Sequence, residues 1–342
     1  MFRVGITPDF EKDARGVLPP ALAEVLDPAA GIEYETMPDT GGIAVAEVLD
    51  RYDAVISFSY IFPAASFRGL KRLAVIARWG VGFDQIDIDA STEAGVIVAI
   101  TRDSVGRSIA EGILALMFSL AKNIPQLDRN CREGRWRQDP PHLINLEGRV
   151  LGSIGLGNIA TEMIRLTAGL GFTRRLAFSP TTDHRRATEI EVELVNLDAV
   201  MLESDFVTVN CPLNAKTRGM ITARHLALMK PTAYLINTAR GSIVDEAALV
   251  NALEQKKIAG AALDVFDTEP IPPNHPLLKL KNVIVTPHLI GRTEEGIRKT
   301  SLSACRSVLA VAQGLAPPYV VNPEALASSL ERASQAAART RV

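Results

Sequence analysis

Cysteine is scarce in this chain: only Cys131, Cys211 and Cys305 occur in 342 residues, far apart and odd in number. A disulfide framework is thereby excluded, and without any metal-ligand spacing so is a cysteine-based metal site; a reducing compartment is the expectation. Cations are not in excess either. Lys and Arg number 37 against 39 Asp and Glu, a net charge of −2, so nothing is available to track a phosphate backbone and nucleic acid is not an expected partner. Long apolar runs are also missing, the most apolar stretch, Gly112–Ala121, being far short of a membrane span. The N-terminus, MFRVGITPDF, lacks the apolar core of a secretion signal and reads as a first strand. A cytoplasmic protein with no membrane partner is expected. No internal repeat or low-complexity tract stands out.

What is present is the composition of a well-filled interior, 47% apolar and 22% charged, at a length that fits two domains. Short β-branched and aliphatic runs alternate with longer helical patterns. Strands are expected at Arg3–Ile6, Ala54–Ser57, Ala74–Ala77 and Val96–Ala99, then at Val150–Ile154, Leu176–Phe178, Phe206–Asn210, Ala233–Asn237, Gly260–Val265 and Val283–Thr286. Such alternation implies an α/β fold with parallel sheets and crossover helices. Ser104–Lys122 is apolar almost all round, which predicts a helix buried between two domains and capped by Asp103 or Ser104. A second helical pattern, Glu294–Gln313, returns the chain to the first domain, and the Ala-, Ser- and Arg-rich end, Glu324–Val342, reads as a surface helix or a frayed tail.

The segment Gly152-Ser-Ile-Gly155-Leu-Gly157-Asn158-Ile159-Ala160 joins an expected strand to an expected helix. Gly155 permits a tight turn, Gly157 lets a pyrophosphate approach the backbone, and Ala160 keeps helix and strand close. The helix N-terminus offers free N–H groups and a partial positive charge. A dinucleotide is the expected ligand. The next strand ends at Ser179, where an acidic residue would hold the ribose hydroxyls of NAD. Thr181, Thr182, Arg185 and Arg186 follow, a set able to hold a 2′-phosphate, while Asp183 is the alternative source of a carboxylate. The reading leans to NADP.

Three later strands end in groups suited to acid–base chemistry: one runs into Thr238-Ala239-Arg240, one through Asp264 to Glu269-Pro270, and one into Pro287-His288. Each alone has a mundane explanation as a surface arginine, a turn glutamate or a structural histidine. Together, at the sheet edge that carries the phosphate turn, they describe carbonyl reduction. His288 delivers a proton near neutral pH, Glu269 orients the ring, and Arg240 grips a carboxylate beside the carbonyl. A nicotinamide is the matching hydride donor.

These residues resemble the D-isomer-specific 2-hydroxyacid dehydrogenase family. The likeness runs from about Arg51 to Pro323 and rests on six motifs in order: Arg78-Trp-Gly80-Val81-Gly82-Phe-Asp84, Ala110-Glu111, Gly155-Leu-Gly157-Asn-Ile-Ala160, Asn237-Thr-Ala-Arg240-Gly241, Ala262-Leu-Asp264-Val-Phe266 with Glu269-Pro270, and Thr286-Pro287-His288. The resemblance implies two doubly wound parallel-sheet domains, flavodoxin-like and Rossmann-like, with a cleft between them. The substrate domain would be residues 1–103 with 293–342, and the dinucleotide domain 104–292. Arg240, Glu269 and His288 become the implied catalytic set. Asp264 would hold the nicotinamide carboxamide, Asn158 and Ile159 the pyrophosphate, and Cys211, Pro212, Thr238, Ala239 and Gly291 would line the cofactor site. Backbone N–H groups of Val81 and Gly82 would bind the substrate carboxylate. A homodimer is implied, built around the helix and loop before the phosphate turn, with Trp136 reaching toward the partner. Two departures stand out: Ser179 replaces the family's usual Asp, and Leu289-Ile290-Gly291 varies a small-residue segment. Only a short tail follows the second crossing, so amino-acid-sensing feedback is not expected.

The loop Ser57-Phe-Ser-Tyr60-Ile-Phe62-Pro63 resembles the one that closes over the substrate side chain, and it holds aromatics but no cation. Ser57 and Tyr60 are therefore the candidate side-chain contacts, and an unphosphorylated 2-oxo acid is favoured over 3-phosphohydroxypyruvate; the same aromatics read equally as core. Three alternatives remain: a 3-phosphoglycerate dehydrogenase, a dinucleotide-sensing corepressor of the same fold, and a formate- or phosphite-oxidising enzyme. The intact Arg240, Glu269 and His288 speak against the sensor, and Glu269 against the formate enzyme.

Overall fold

The computed structural model describes residues 1–338, so the last part of the expected tail lies outside the described residues. The chain divides into two compact units, Met1–Val105 with Thr293–Val342, and Gly106–Arg292.

In the first unit, β1 (Phe2–Ile6), β2 (Ile32–Thr36), β3 (Ala54–Ser57), β4 (Val75–Arg78) and β5 (Ile97–Ile100) form a sheet of order β2-β1-β3-β4-β5. Every pair is parallel. Alternate residues feed opposite faces: Val4, Ile56, Val75 and Ile97 enter one core, Val55, Ile76 and Val98 the other. A sheet buried on both faces needs apolar residues at successive positions, which is what β3 to β5 supply. The strand β2 was not expected from sequence, because its residues IEYET are polar and mostly exposed, as befits an edge. The Glu294–Ala312 helix packs into this unit through Leu302, Cys305, Val308 and Val311. The Leu326–Ala338 helix is tied on by Ser329 Oγ donating to the Ala74 carbonyl.

In the second unit, β6 (Val150–Ile154), β7 (Arg174–Phe178), β8 (Glu193–Leu194), β9 (Phe206–Val209), β10 (Tyr234–Asn237), β11 (Gly260–Leu263) and β12 (Val283–Val285) form a seven-stranded parallel sheet of order β12-β11-β10-β9-β6-β7-β8. Strand order reverses at the β6/β9 boundary, where doubly wound sheets bind ligands. The helix expected at 104–122 spans Gly106–Ala121 and belongs here, packing Ala110, Ile113, Met117 and Leu120 into the core that includes Ala160 and Met163, with Phe118 exposed. No helix of the described residues is long and apolar enough to cross a membrane.

Candidate active site

The turn after β6 has the features a dinucleotide needs. Gly155 sits at φ +100°, and a Cβ there would lie 2.7 Å from the backbone nitrogen of Cys211, so only glycine lets the turn press against the end of β9. A Cβ on Gly157 would meet nothing within 4 Å. Gly157 is the N-cap of the Asn158–Leu166 helix and brings no capping side chain, so no cap bond takes up the N–H groups of the first turn. This cradle fits a pyrophosphate. Beside it, burial pushes the Cys211 thiol up to about 11, which keeps it neutral, an apolar wall rather than a nucleophile. Pro212 is exposed next to it. Asn210, which sequence reasoning passed over, donates to Ser153 Oγ and Thr208 Oγ1 and ties the ends of β6 and β9 together.

At the end of β7, Ser179 Oγ lies 2.8 Å from Thr182 Oγ1. Asp183 caps the His184–Glu189 helix, its Oδ1 accepting from the Arg185 N–H at 2.9 Å. The Arg185 side chain is exposed and 3.9 Å from Glu189, whereas Arg186 reaches Thr161 Oγ1 on the helix behind the phosphate turn, at 3.5 Å. Of the two arginines, Arg186 contacts the helix that follows the phosphate turn.

The ends of β10, β11 and β12 bring the acid–base candidates together. Asn237, buried at the last position of β10, shapes the Thr238–Arg240 turn by donating to the Arg240 carbonyl and accepting from the Ala239 N–H. Gly241 then lies so close to the next loop that a Cβ would come within 2.0 Å of the Phe266 carbonyl carbon. The Arg240 turn is therefore seated on the segment leading to Glu269. The Phe266 N–H donates to Glu269 Oε1 at 3.0 Å, and His288 Nδ1 stands 2.7 Å from Glu269 Oε2. Burial raises the Glu269 carboxyl, but the hydrogen bond and charge of His288, the Phe266 N–H and the Arg240 charge together hold it below its ordinary value. Glu269 is thus held ionised beside the His288 ring. With Nδ1 engaged, Nε2 of His288 is left to exchange a proton.

Asp264 is buried and does more than sequence reasoning assigned to it. Its carboxylate accepts from Thr286 Oγ1 at 2.6 Å, the Leu289 N–H at 3.1 Å and the Ile290 N–H at 3.2 Å. These bonds fix the turn on which His288 adopts φ +56°, a conformation a non-glycine residue holds only when its surroundings impose it. Of about four acceptor positions on a carboxylate, three are used, which leaves one for a ligand N–H. Thr286 was quoted only as part of a motif; its role depends on the fold and no sequence signal marks it.

In the first unit, the Gly80–Gly82 loop is pinned by Gly80 N–H to Thr101 Oγ1 at 3.0 Å, with Val81 and Gly82 half-buried. Ser57 is fully buried. Tyr60, a candidate substrate contact, is buried too, and its hydroxyl donates to Asp39 Oδ1 at 2.9 Å. As placed, it packs the core and anchors the Asp39 loop. Trp136, 70% exposed, lies on the loop after the Ile124–Arg132 helix.

A family model described as D-isomer specific 2-hydroxyacid dehydrogenase, NAD binding domain, matches residues 114–289. A glyoxylate reductase of Korarchaeum cryptofilum is 35% identical over 292 residues, 84% of this chain and 87% of that protein. A D-3-phosphoglycerate dehydrogenase of Archaeoglobus fulgidus is 36% identical over 293 residues, 85% of this chain but 55% of that protein, so the chain spans about half of that relative's length. Among solved structures, an NADPH-dependent glyoxylate/hydroxypyruvate reductase of Sinorhizobium meliloti, crystallised with NADP and malonate, superposes with a TM-score of 0.80 at 27% identity, covering 94% of this chain and 97% of that one.

Proposed function

The chain belongs to the D-isomer-specific 2-hydroxyacid dehydrogenase family, and we propose that it interconverts a small, unphosphorylated 2-oxo acid and its D-2-hydroxy acid with a nicotinamide cofactor. The observation that carries this reading is the 2.7 Å pair of His288 Nδ1 and Glu269 Oε2, beside Arg240 and at the sheet edge of the dinucleotide cradle. The nicotinamide, when bound, supplies or receives the hydride. Protein groups do the rest. Arg240 holds the substrate carboxylate and polarises the carbonyl. His288 delivers a proton from Nε2 to the carbonyl oxygen, and Glu269 stabilises the charged ring from the other side. Asp264 keeps the His288 turn in place and retains one acceptor position for the carboxamide. Gly155, Gly157, Asn158 and Ile159 hold the pyrophosphate, and Cys211, Pro212, Thr238, Ala239 and Gly291 line the site. The N–H groups of Val81 and Gly82 are the proposed ligands of the substrate carboxylate, and the buried Ser57 is set aside as a contact.

The cofactor proposed is NADPH. Ser179, Thr182 and Arg186 supply donors for a 2′-phosphate, and Asp183, whose Oδ1 caps the next helix, is the competing carboxylate. The S. meliloti relative carries NADP. A homodimer is also proposed, because Phe118, Ile124, Trp136 and Leu143 are large apolar residues left exposed along one stretch of chain; sedimentation at micromolar concentration tests it. Steady-state kinetics over glyoxylate, hydroxypyruvate, larger apolar 2-oxo acids and 3-phosphohydroxypyruvate, each with NADH and NADPH, tests the activity. A wide preference for the phosphorylated acid would overturn the substrate reading, and no turnover with any acid would favour a dinucleotide sensor.

A further inference from the structure

We infer that Gly112 and Gly291 are positioning residues, which interlock with Ile290 and Ile109 and fix the turn that carries His288 against the Gly106–Ala121 helix. This rests on the proton-transfer role proposed for His288 and deepens it. A Cβ on Gly112 would lie 2.4 Å from Ile290 Cγ1 and 3.0 Å from the Ile290 carbonyl oxygen; a Cβ on Gly291 would lie 2.6 Å from Ile109 Cγ1. Residues 109 and 112 are three apart and so share one face of the helix. Residues 290 and 291 are consecutive on the turn. Each side therefore offers one large side chain and one gap, and each gap receives the other's side chain.

Glycine in the middle of a helix needs a reason, since it favours the helix less than every residue but proline. Here the reason is room for Ile290. The helix is itself a firm base: Ala110, Ile113 and Met117 are fully buried in a core shared with Ile236 of β10 and Ala262 of β11. On its other side the turn is held by the Asp264 carboxylate through the N–H groups of Leu289 and Ile290. The segment Leu289–Gly291 is thus held by a carboxylate at Leu289 and Ile290 and by the helix at Ile290 and Gly291. His288 needs this, because its ring is 45% exposed, makes one side-chain hydrogen bond among the described residues, to Glu269, and stands on a backbone at φ +56°. The position of Nε2 is set by the backbone beneath it, and the interlock sets that backbone.

The test uses the full chain as Gly112→Ala, Ile290→Ala, the double variant, and Gly291→Ala with and without Ile109→Ala. Two readouts are needed: steady-state kcat and KM for the 2-oxo acid and for NADPH, and hydrogen exchange of the Leu289 and Ile290 amides in the cofactor-free protein. Gly112→Ala is expected to lower kcat roughly ten- to hundredfold, the scale of an ångström-sized misplacement, with KM for NADPH within about twofold of wild type. Exchange at Leu289 and Ile290 should quicken at least about tenfold while β10 and β11 stay protected. Ile290→Ala in the same chain should restore most of both, and Ile109→Ala should do the same for Gly291→Ala. If Gly112→Ala does not fold, Ile290→Ala alone removes the side chain from the gap and should quicken the same amides. Wild-type exchange and kcat in Gly112→Ala would overturn the inference. So would a double variant no better than the single one, since the loss would then come from the helix rather than the contact. Should the wild-type protein turn over no 2-oxo acid, the proposed function fails, and the exchange measurement alone decides the interlock.

Discussion

Replacing Glu269 with Gln keeps the shape of the side chain and removes the charge that faces His288 Nδ1 at 2.7 Å. A hydrogen bond with an ionised partner contributes about 1.5–3 kcal/mol. The two side chains are 45% and 36% exposed, so solvent screens the pair and the lower end applies, about 1.5 kcal/mol. That is roughly a tenfold change in the balance between the protonated and unprotonated site, or about one pH unit. The sign differs by direction. Reduction needs the proton, so its alkaline limb should move down by about one unit and kcat/KM on the alkaline side of that limb should fall roughly tenfold. Oxidation needs the proton gone, so its acid limb should also move down, and Glu269→Gln should lose least, in that direction, on the acid side of that limb. The assay is NADPH absorbance at 340 nm across the pH range, in both directions. In a His288→Ala background the same substitution should do almost nothing, because Glu269 acts through the ring. Limbs that stay within about 0.2 unit, or an equal loss with and without His288, would refute this account of the pair.

His288→Ala should lower kcat by about a hundredfold or more with KM for the cofactor little changed, as expected for a lost general acid; a near-normal kcat would remove His288 from the mechanism. Ser179→Asp should place a carboxylate where a 2′-phosphate would sit and move the NADPH/NADH ratio of kcat/KM toward NADH by roughly tenfold or more, about the scale of one charge-assisted contact. A wild-type protein that already prefers NADH would mean that the arginines are idle. The hydrogen bond from Lys12, the Gly41 N–H and the Tyr60 hydroxyl hold the Asp39 carboxyl near 2, below its ordinary 3.8. Stability from that group is therefore present above about pH 4 and lost as pH falls toward 2. In Asp39→Asn the fall of Tm over that interval should be shallower, read by scanning calorimetry.

Much of this was legible in the sequence for one physical reason. A strand buried on both faces must be apolar at successive positions, and β3, β4, β6, β9 and β10 are. Strands without that burden were invisible: β2 carries four exposed residues at the sheet edge, and β8 is two residues long. In the site, Arg240, Glu269 and His288 announce themselves because charged groups directly after apolar runs are conspicuous. Tyr60 reads either way from sequence, since an aromatic with a hydroxyl suits a ligand or a core; the fold buries its ring in the core and bonds its hydroxyl to Asp39. The work of Asp264 could not be read at all, because its partners are main-chain N–H groups 25 and 26 residues away.

The convergence of the three strand ends is a consequence of chain direction. In parallel pairing every strand delivers its carboxyl end to the same edge. Asn237 pairs with Leu263 and Leu263 with Val285, so Thr238, Asp264 and Thr286 are one step beyond the sheet at the same level. Across β9, Val209 pairs with both Asn237 and Ile154, so the Gly155 turn leaves from that level as well. A charged residue placed a few positions after any of these strands must therefore arrive near the others and near the dinucleotide cradle. Direction alone brings them to one edge, but it does not say which of them touch. That is decided by main-chain geometry no residue pattern records: the absent Cβ of Gly241, which lets the Arg240 turn lie on the Glu269 segment, and the Asp264 carboxylate, which turns His288 back toward Glu269.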